Sequence, residues 1–261
     1  QEYEREMQFD AEKCTGCGAC VKACQSHALS MKDKKPVLDK SLCTLCGRCE
    51  NFCPAGLREI VGREYTVKEL IKELLKDQMF YEESGGGVTL SGGEVMAMDT
   101  DYILAVAKGL KRQDINLTID TCGYVPYEKF RAILPYADTF LYDVKVMDPE
   151  IHKQYMGVDN KLILENLARL SADGARIYIR IPTVKEVNGN AENMKETIAF
   201  LKEQDIHPPQ INLLPYHDTG SGKYRKLDME YMGKNLHAPD KAEMEELRQL
   251  FIEAGFQNTK I

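Results

Sequence analysis

Eight of the nine cysteines in this chain fall into two copies of one spacing. The first run is Cys14-x2-Cys17-x2-Cys20-x3-Cys24; the second, Cys43-x2-Cys46-x2-Cys49-x3-Cys53, ends in Pro54. Each cysteine of the first run recurs 29 residues later, so the segment is an internal duplication. A stretch this rich in thiols must fold around sulfur chemistry. Disulfides suit small secreted scaffolds rather than a 261-residue chain that crowds its cysteines into one short segment. Zinc usually takes two Cys-x2-Cys pairs across a longer span, which leaves the third and fourth member of each run without a role.

Two residues between cysteines make a tight loop that can aim successive thiolates at neighbouring irons of one cube. The bacterial pattern for two 4Fe–4S clusters has this form, the fourth cysteine of each run crossing to the other cluster. On that rule Cys14, Cys17, Cys20 and Cys53 hold one cluster, and Cys43, Cys46, Cys49 and Cys24 hold the second. Gln25 stands where the first run would ordinarily carry a proline. Proline there shapes a turn and supplies no ligand, so the ligand sets stand. The expectation is an electron-handling protein.

The length suits one large domain of about 200 residues plus a small one. A hydrophobic content of 43% is enough for a sizeable core. The net charge of -7, with no basic stripe, argues against nucleic acid as a partner. No apolar run approaches the roughly 18 residues of a membrane span, and no signal pattern opens the chain, so no membrane association is expected. Cluster thiolates and a spare Cys122 fit a reducing compartment, and the expected location is cytoplasmic. Oxygen-sensitive clusters would suit an anaerobe.

Residues 10–57 read as the cluster module, with Pro36-Val37-Leu38 as a short strand between its halves. From Thr66 the pattern changes, and residues 64–261 read as a second domain. Val67, Leu70, Ile71, Leu74 and Leu75 mark one apolar face of a helix. Near-continuous apolar runs at Gly87–Leu90, Ile115–Asp120, Thr139–Val144, Ile177–Ile181 and Ile211–Pro215 then alternate with helical stretches. The helices are expected at Thr100–Arg112, Tyr127–Leu134, Lys161–Ala172, Ala191–Glu203 and Lys241–Ala254, with Gly174 and Gly255 as C-terminal stops. This alternation predicts a parallel α/β sheet, open or curled into a barrel. Polar residues gather where each strand ends, the edge at which such architectures assemble their sites.

Each strand-end residue has a bland reading beside the functional one. Gly92-Gly93 lets a ligand approach the backbone, and Glu94 can accept from an ammonium group; the alternative is a turn and a helix-start glutamate. Asp120-Thr121 either caps the next segment or offers oxygens to a hydroxyl or a monovalent cation. Asp143 and Lys145 lie two apart, so in extended chain they share one side, as an ion pair or a ligand site. His217, just past a strand, tilts towards ligand contact. Cys122 reads as a small apolar filler. His27, His152, His207 and His237 fall in loop or helix-surface contexts and are assigned nothing.

In series, Ser91-Gly92-Gly93-Glu94, Asp120-Thr121-Cys122-Gly123, Leu141-Tyr142-Asp143-Val144-Lys145, Ile179-Arg180-Ile181-Pro182 and Leu213-Leu214-Pro215-Tyr216-His217 resemble the glycyl radical enzyme activating enzymes of the radical S-adenosylmethionine superfamily. The module at 10–57 resembles the ferredoxin-like insert many of them carry. The resemblance implies a partial (β/α)6 barrel, here lacking its first strand. It implies that Gly92, Gly93 and Glu94 bind the methionyl amino group of S-adenosylmethionine. Asp120, Thr121, Asp143 and Lys145 would contact the methionyl carboxylate region with an associated monovalent cation. Arg180 and His217 would lie further round the cofactor, His217 towards its ribose or adenine.

The implied reaction is reductive cleavage of S-adenosylmethionine to a 5′-deoxyadenosyl radical, which takes a hydrogen atom from a glycine of a partner glycyl radical enzyme. Electrons would come from a reduced flavodoxin or ferredoxin through the two clusters. Family members hold a third, catalytic 4Fe–4S cluster on an upstream Cys-x3-Cys-x2-Cys loop, and no such spacing occurs here. The expectation is therefore a fragment without that loop, inactive as it stands and with no catalytic residue of its own. Two rival readings share much of the pattern: a two-cluster ferredoxin-type electron-transfer subunit fused to a barrel, and a radical S-adenosylmethionine enzyme acting on a small molecule.

Overall fold

The computed structural model describes residues 5–227 and 229–261. The chain divides into two compact units, one running as far as Glu64 and including Asp218–Asn235, the other comprising Tyr65–His217 and Leu236–Ile261.

In the first unit, β1 (Glu6–Phe9), α1 (Ala19–Ala23), β2 (Leu29–Lys32), β3 (Lys35–Leu38), α2 (Arg48–Asn51) and β4 (Arg58–Val61) follow one another. β1 pairs antiparallel with β4, and β2 with β3, so the strand anticipated at Pro36-Val37-Leu38 is half of a hairpin. The duplication reads directly in the backbone. Each short helix opens after a left-handed glycine, Gly18 at φ 74° and Gly47 at φ 77°, a conformation that favours a residue without Cβ. The core here is slight: Met7, Leu29, Cys20 and Cys49.

The second unit opens with α3 (Val67–Leu74), where Thr66 and Glu69 form a reciprocal capping box. α4 (Gln78–Ser84) leads into β5 (Gly87–Leu90), and then α5 (Thr100–Lys111), β6 (Asn116–Thr121), α6 (Tyr127–Ile133), β7 (Thr139–Asp143), α7 (Pro149–Met156), α8 (Lys161–Ala172), β8 (Ile177–Thr183), α9 (Ala191–Glu203) and β9 (Ile211–Pro215). A last helix, Lys241–Glu253, precedes the two-residue β10 (Thr259–Lys260). All six strands are parallel in the order β10-β9-β8-β7-β6-β5, the α/β partial barrel anticipated. The five expected strands are present, β5 and β9 with the expected bounds and the other three with ends moved by one or two residues, and β10 is an addition at the far edge. Gly174 and Gly255 follow their helices at φ 81° and 105°.

Burial alternates along the strands instead of being continuous. Leu117, Ile119, Phe140, Tyr142, Ile179, Ile181 and Leu213 are fully covered, with Leu110, Phe130, Leu167, Leu170 and Phe251 of the helices among the same core. Each such side chain contributes about 1.5–3 kcal/mol relative to exposure. The intervening residues, among them Asp120, Asp143 and Arg180, are half-buried on the opposite face. The helices therefore cover one face, and the other is left to the polar residues of the strand ends.

Candidate functional site

Both cysteine runs repeat one burial pattern. Cys14 and Cys43 are half-buried, Cys17 and Cys46 exposed, Cys20 and Cys49 buried, Cys24 and Cys53 half-buried. Cys24, Cys43, Cys46 and Cys49 line one small cavity, together with Met7, Leu29 and Leu38. The fourth thiol of the first run is thus delivered to three thiols of the second. Among the described residues no group of three His, Cys, Asp or Glu side chains converges as around a single ion, whereas in a cubane each thiolate reaches its own iron.

The module also supplies donors to sulfur. Gly16 N–H lies 3.4 Å from Cys14 Sγ, Leu57 N–H 3.3 Å from Cys53 Sγ, and Ser26 Oγ 3.6 Å from Cys24 Sγ. Burial raises Cys24, but Ser26 and the amides of Leu29 and Ala28 outweigh it and draw the thiol below its ordinary range. Cys53 behaves likewise: burial is overcome by the amides of Leu57, Ala55 and Gly56 with help from Arg58. Cys49 moves the other way, burial prevailing over the pull of Arg58. Donors aimed at sulfur favour the thiolate that iron needs.

At the strand ends of the second unit the structure brings together two groups. In the first, Glu94 Oε1 accepts from Met96 N–H at 3.0 Å and from Thr121 Oγ1 at 2.8 Å, while Oε2 accepts from Cys122 N–H at 2.7 Å. The glutamate caps the short 3-10 turn Val95–Ala97 and also ties the loop after β5 to the end of β6. Gly92 sits at φ 139° in that loop. Thr121 is buried and also accepts from Gly123 N–H at 3.0 Å. Burial, then the hydrogen bond to Glu94, pushes the Cys122 thiol up to about 11.

In the second group Arg180 joins two carboxylates. Its Nε donates to Asp143 Oδ1 at 2.9 Å, and its Nη1 and Nη2 fork onto Asp120. Ser91 Oγ donates to Asp120 Oδ2 at 2.7 Å. Burial raises the Asp143 carboxyl against the pull of Arg180 and Lys145. Burial also works against the charge on Arg180, yet Asp143 and Asp120 leave its pKa raised. Asp143 thus pairs with Arg180, its register partner across β7–β8, and not with Lys145. Lys145 lies two residues beyond Asp143, and His217 is exposed just past β9.

The sequence reading passed over the residues that hold these loops. Four buried asparagines, Asn160, Asn166, Asn188 and Asn193, stand among the described residues. Asn166 donates to the carbonyls of Gly123 and Val125 at 2.8 and 2.7 Å, and Asn188 to those of Lys145 and Pro182. Asn160 holds Val146 and Met147. A polar residue inside an apolar helix pattern, as Asn166 is in α8, was the available signal. His152, expected on a helix surface, is buried with Nδ1 2.7 Å from the Val158 carbonyl.

Residues 13–57 match the family described as a 4Fe-4S dicluster domain. The whole chain is 45% identical to the trans-4-hydroxy-L-proline dehydratase activating enzyme of Clostridioides difficile, the match covering 100% of this chain and 86% of that protein. The chain belongs to the glycyl radical enzyme activating enzymes. The choline trimethylamine-lyase activating enzyme of Oleidesulfovibrio alaskensis is 37% identical over 84% of this chain and 72% of its own. A 4-hydroxyphenylacetate decarboxylase activating enzyme of Clostridioides difficile is 34% identical over 95% of this chain and 80% of its own. Among solved structures, a domain of pyruvate-formate lyase-activating enzyme from Bacteroides vulgatus superposes with TM-score 0.58 at 29% identity, covering 68% of this chain and 98% of that one. A radical S-adenosylmethionine methyltransferase from Sphaerobacter thermophilus, TM-score 0.55 at 14% identity over 76% and 57% of the two chains, shares the fold. The activating enzyme is thus a radical S-adenosylmethionine oxidoreductase that binds 4Fe–4S clusters and acts on a glycyl radical enzyme, which displaces the reading as a bare electron-transfer subunit.

Proposed function

We propose that this activating enzyme carries two 4Fe–4S clusters in a module at residues 10–57, and holds S-adenosylmethionine at the strand ends of a barrel at 64–261. Cys14, Cys17, Cys20 and Cys53 ligate one cluster; Cys43, Cys46, Cys49 and Cys24 ligate the other. The observation that carries this reading is the cavity where Cys24 meets Cys43, Cys46 and Cys49. When bound, the clusters supply single electrons, and S-adenosylmethionine supplies the radical that reaches the partner's glycine.

The chain's own residues bind and orient. Gly92 and Gly93 leave the backbone open beside Glu94, whose carboxylate is held by Met96, Thr121 and Cys122 and is the acceptor assigned to the methionyl ammonium. Asp120 and Asp143 set two negative charges against the one guanidinium of Arg180. The surplus favours an ammonium group or a monovalent cation at this edge, with Thr121 beside it and Lys145 available to the methionyl carboxylate. His217 reaches the nucleoside side. The electron donor is a reduced flavodoxin or ferredoxin. The partner is a dehydratase of the trans-4-hydroxy-L-proline type, on the strength of the 45% identity over the full chain.

Two measurements test this. Anaerobic reconstitution should give about eight irons and eight sulfides per chain, since each cube holds four of each; a value near four removes one run from the reading. Titration with S-adenosylmethionine should show affinity lowered about tenfold or more by Glu94→Ala and by Asp143→Ala, the loss expected for a charged hydrogen bond. Unchanged affinity in both variants would place the cofactor elsewhere.

A further inference from the structure

Arg58, the first residue of β4, is 2% exposed, and its Nε, Nη1 and Nη2 have no hydrogen-bond partner among the described residues. The guanidinium lies 4.1 Å from the centroid of the Phe9 ring, the side chain opposite it in the β1–β4 register. A cation–π contact offsets only part of the cost of burying a charge. Arginine cannot shed its proton, so the charge is permanent and five N–H donors still require acceptors. The described residues supply none of those acceptors, which leaves them to a bound group.

The surroundings say what that is. β4 packs against α2, which carries Cys49, and Leu57, the residue before Arg58, donates to Cys53 Sγ. On the ligand sets proposed above, Cys49 belongs to one cluster and Cys53 to the other. Four thiolates outweigh the charge of an iron–sulfur core, so each loaded cluster is an anion, and it gains a further negative charge on reduction.

We propose that Arg58 is the internal countercharge shared by the two clusters, donating to their sulfurs and raising the reduction potential of each. Its role is positioning and electrostatic; it ligates no iron. A fixed cation stabilises the reduced, more negative cluster over the oxidised one, so removing it lowers the potential. The proposal rests on the two-cluster reading.

The test is a potentiometric titration followed by electron paramagnetic resonance, on anaerobically reconstituted full chain, with iron and sulfide assayed on the same samples. Wild type is compared with Arg58→Lys and Arg58→Met. In Arg58→Met both midpoints should fall, each by about 59 mV, a tenfold shift in a one-electron equilibrium, while Arg58→Lys stays nearer to wild type; a fall in one midpoint alone overturns the shared role. Loaded Arg58→Met protein with wild-type potentials overturns the proposal, as does an equal shift in both variants. If Arg58→Met fails to load, the Lys variant decides: loading with near-native potentials supports the countercharge, and failure of both overturns it. A wild-type protein without iron would instead sink the two-cluster reading itself.

Discussion

Cys122 shows how one half-buried residue reports on its neighbours. Burial and the Glu94 carboxylate raise its thiol from the ordinary 9.0 to about 11. The native state therefore holds its proton where the unfolded chain has lost it, and stability falls as pH rises through the window from 9.0 to about 11. Because the thiolate is the reactive species, alkylation of Cys122 in loaded protein should be slow at about pH 8 and climb only as pH nears 11. Glu94→Gln should move the inflection downward. Mass-spectrometric labelling across pH checks both, and a profile centred on 9.0 would mean that the thiol is not held as described. Glu94 follows the plainer reading of its sequence context as a cap for Val95–Ala97, and its role towards a ligand belongs to the proposal. Asp143 did not follow its spacing. Two residues apart on a strand, it and Lys145 suggested a pair, but Asp143 found Arg180 on the neighbouring strand. Register between strands is set by long-range packing, and no local window contains it.

At the scale of elements, periodicity recovered α8, α9, β5 and β9 with the bounds the structure shows. It missed β10, whose two residues are a strand only because β9 lies beside them. α7 was legible in principle: Asp148 accepts from the N–H groups of Glu150 and Ile151 ahead of Pro149 at the first helical turn. The loop after β6 depends on a contact no pattern announces. Gly123 has φ 79°, and a Cβ there would lie 1.8 Å from Tyr142 Oη. That hydroxyl is fully buried and donates to the Ile163 carbonyl at 2.7 Å, so it has nowhere to move. Gly123→Ala should destabilise the second unit by about 3 kcal/mol, combining overpacking with a left-handed backbone. Tyr142→Phe removes the nearest clashing atom but keeps the ring Cζ, 2.3 Å from that Cβ, so the double variant should lose slightly less than the sum of the singles. Full additivity in denaturant titrations would show that the hydroxyl contact is not the cause.

For the molecule as a whole, the two units rest on different physics. The second has a continuous apolar core running from Val88 to Phe251. Among the described residues of the first, the core cluster is Met7, Leu29, Cys20 and Cys49, so half of its side chains are thiols assigned to iron. Its strands are four residues each, paired in twos, and its helices are a single turn or little more. Elements this short do not stand alone in water, and small metal-bound units draw their folding free energy from the metal. Arg58 sharpens the point, since among the described residues its buried charge finds no acceptor. Removing iron under anaerobic chelation should therefore unfold one unit and spare the other. In hydrogen exchange, the amides of β1 to β4 should lose protection while those of β6, β7 and β8 keep theirs, because local opening free energy follows local core. Equal loss in both units would mean that the barrel leans on the clusters as well. Protection that survives chelation in β1 to β4 would mean that the module folds on its apolar residues, and the cysteines would then need another explanation than iron.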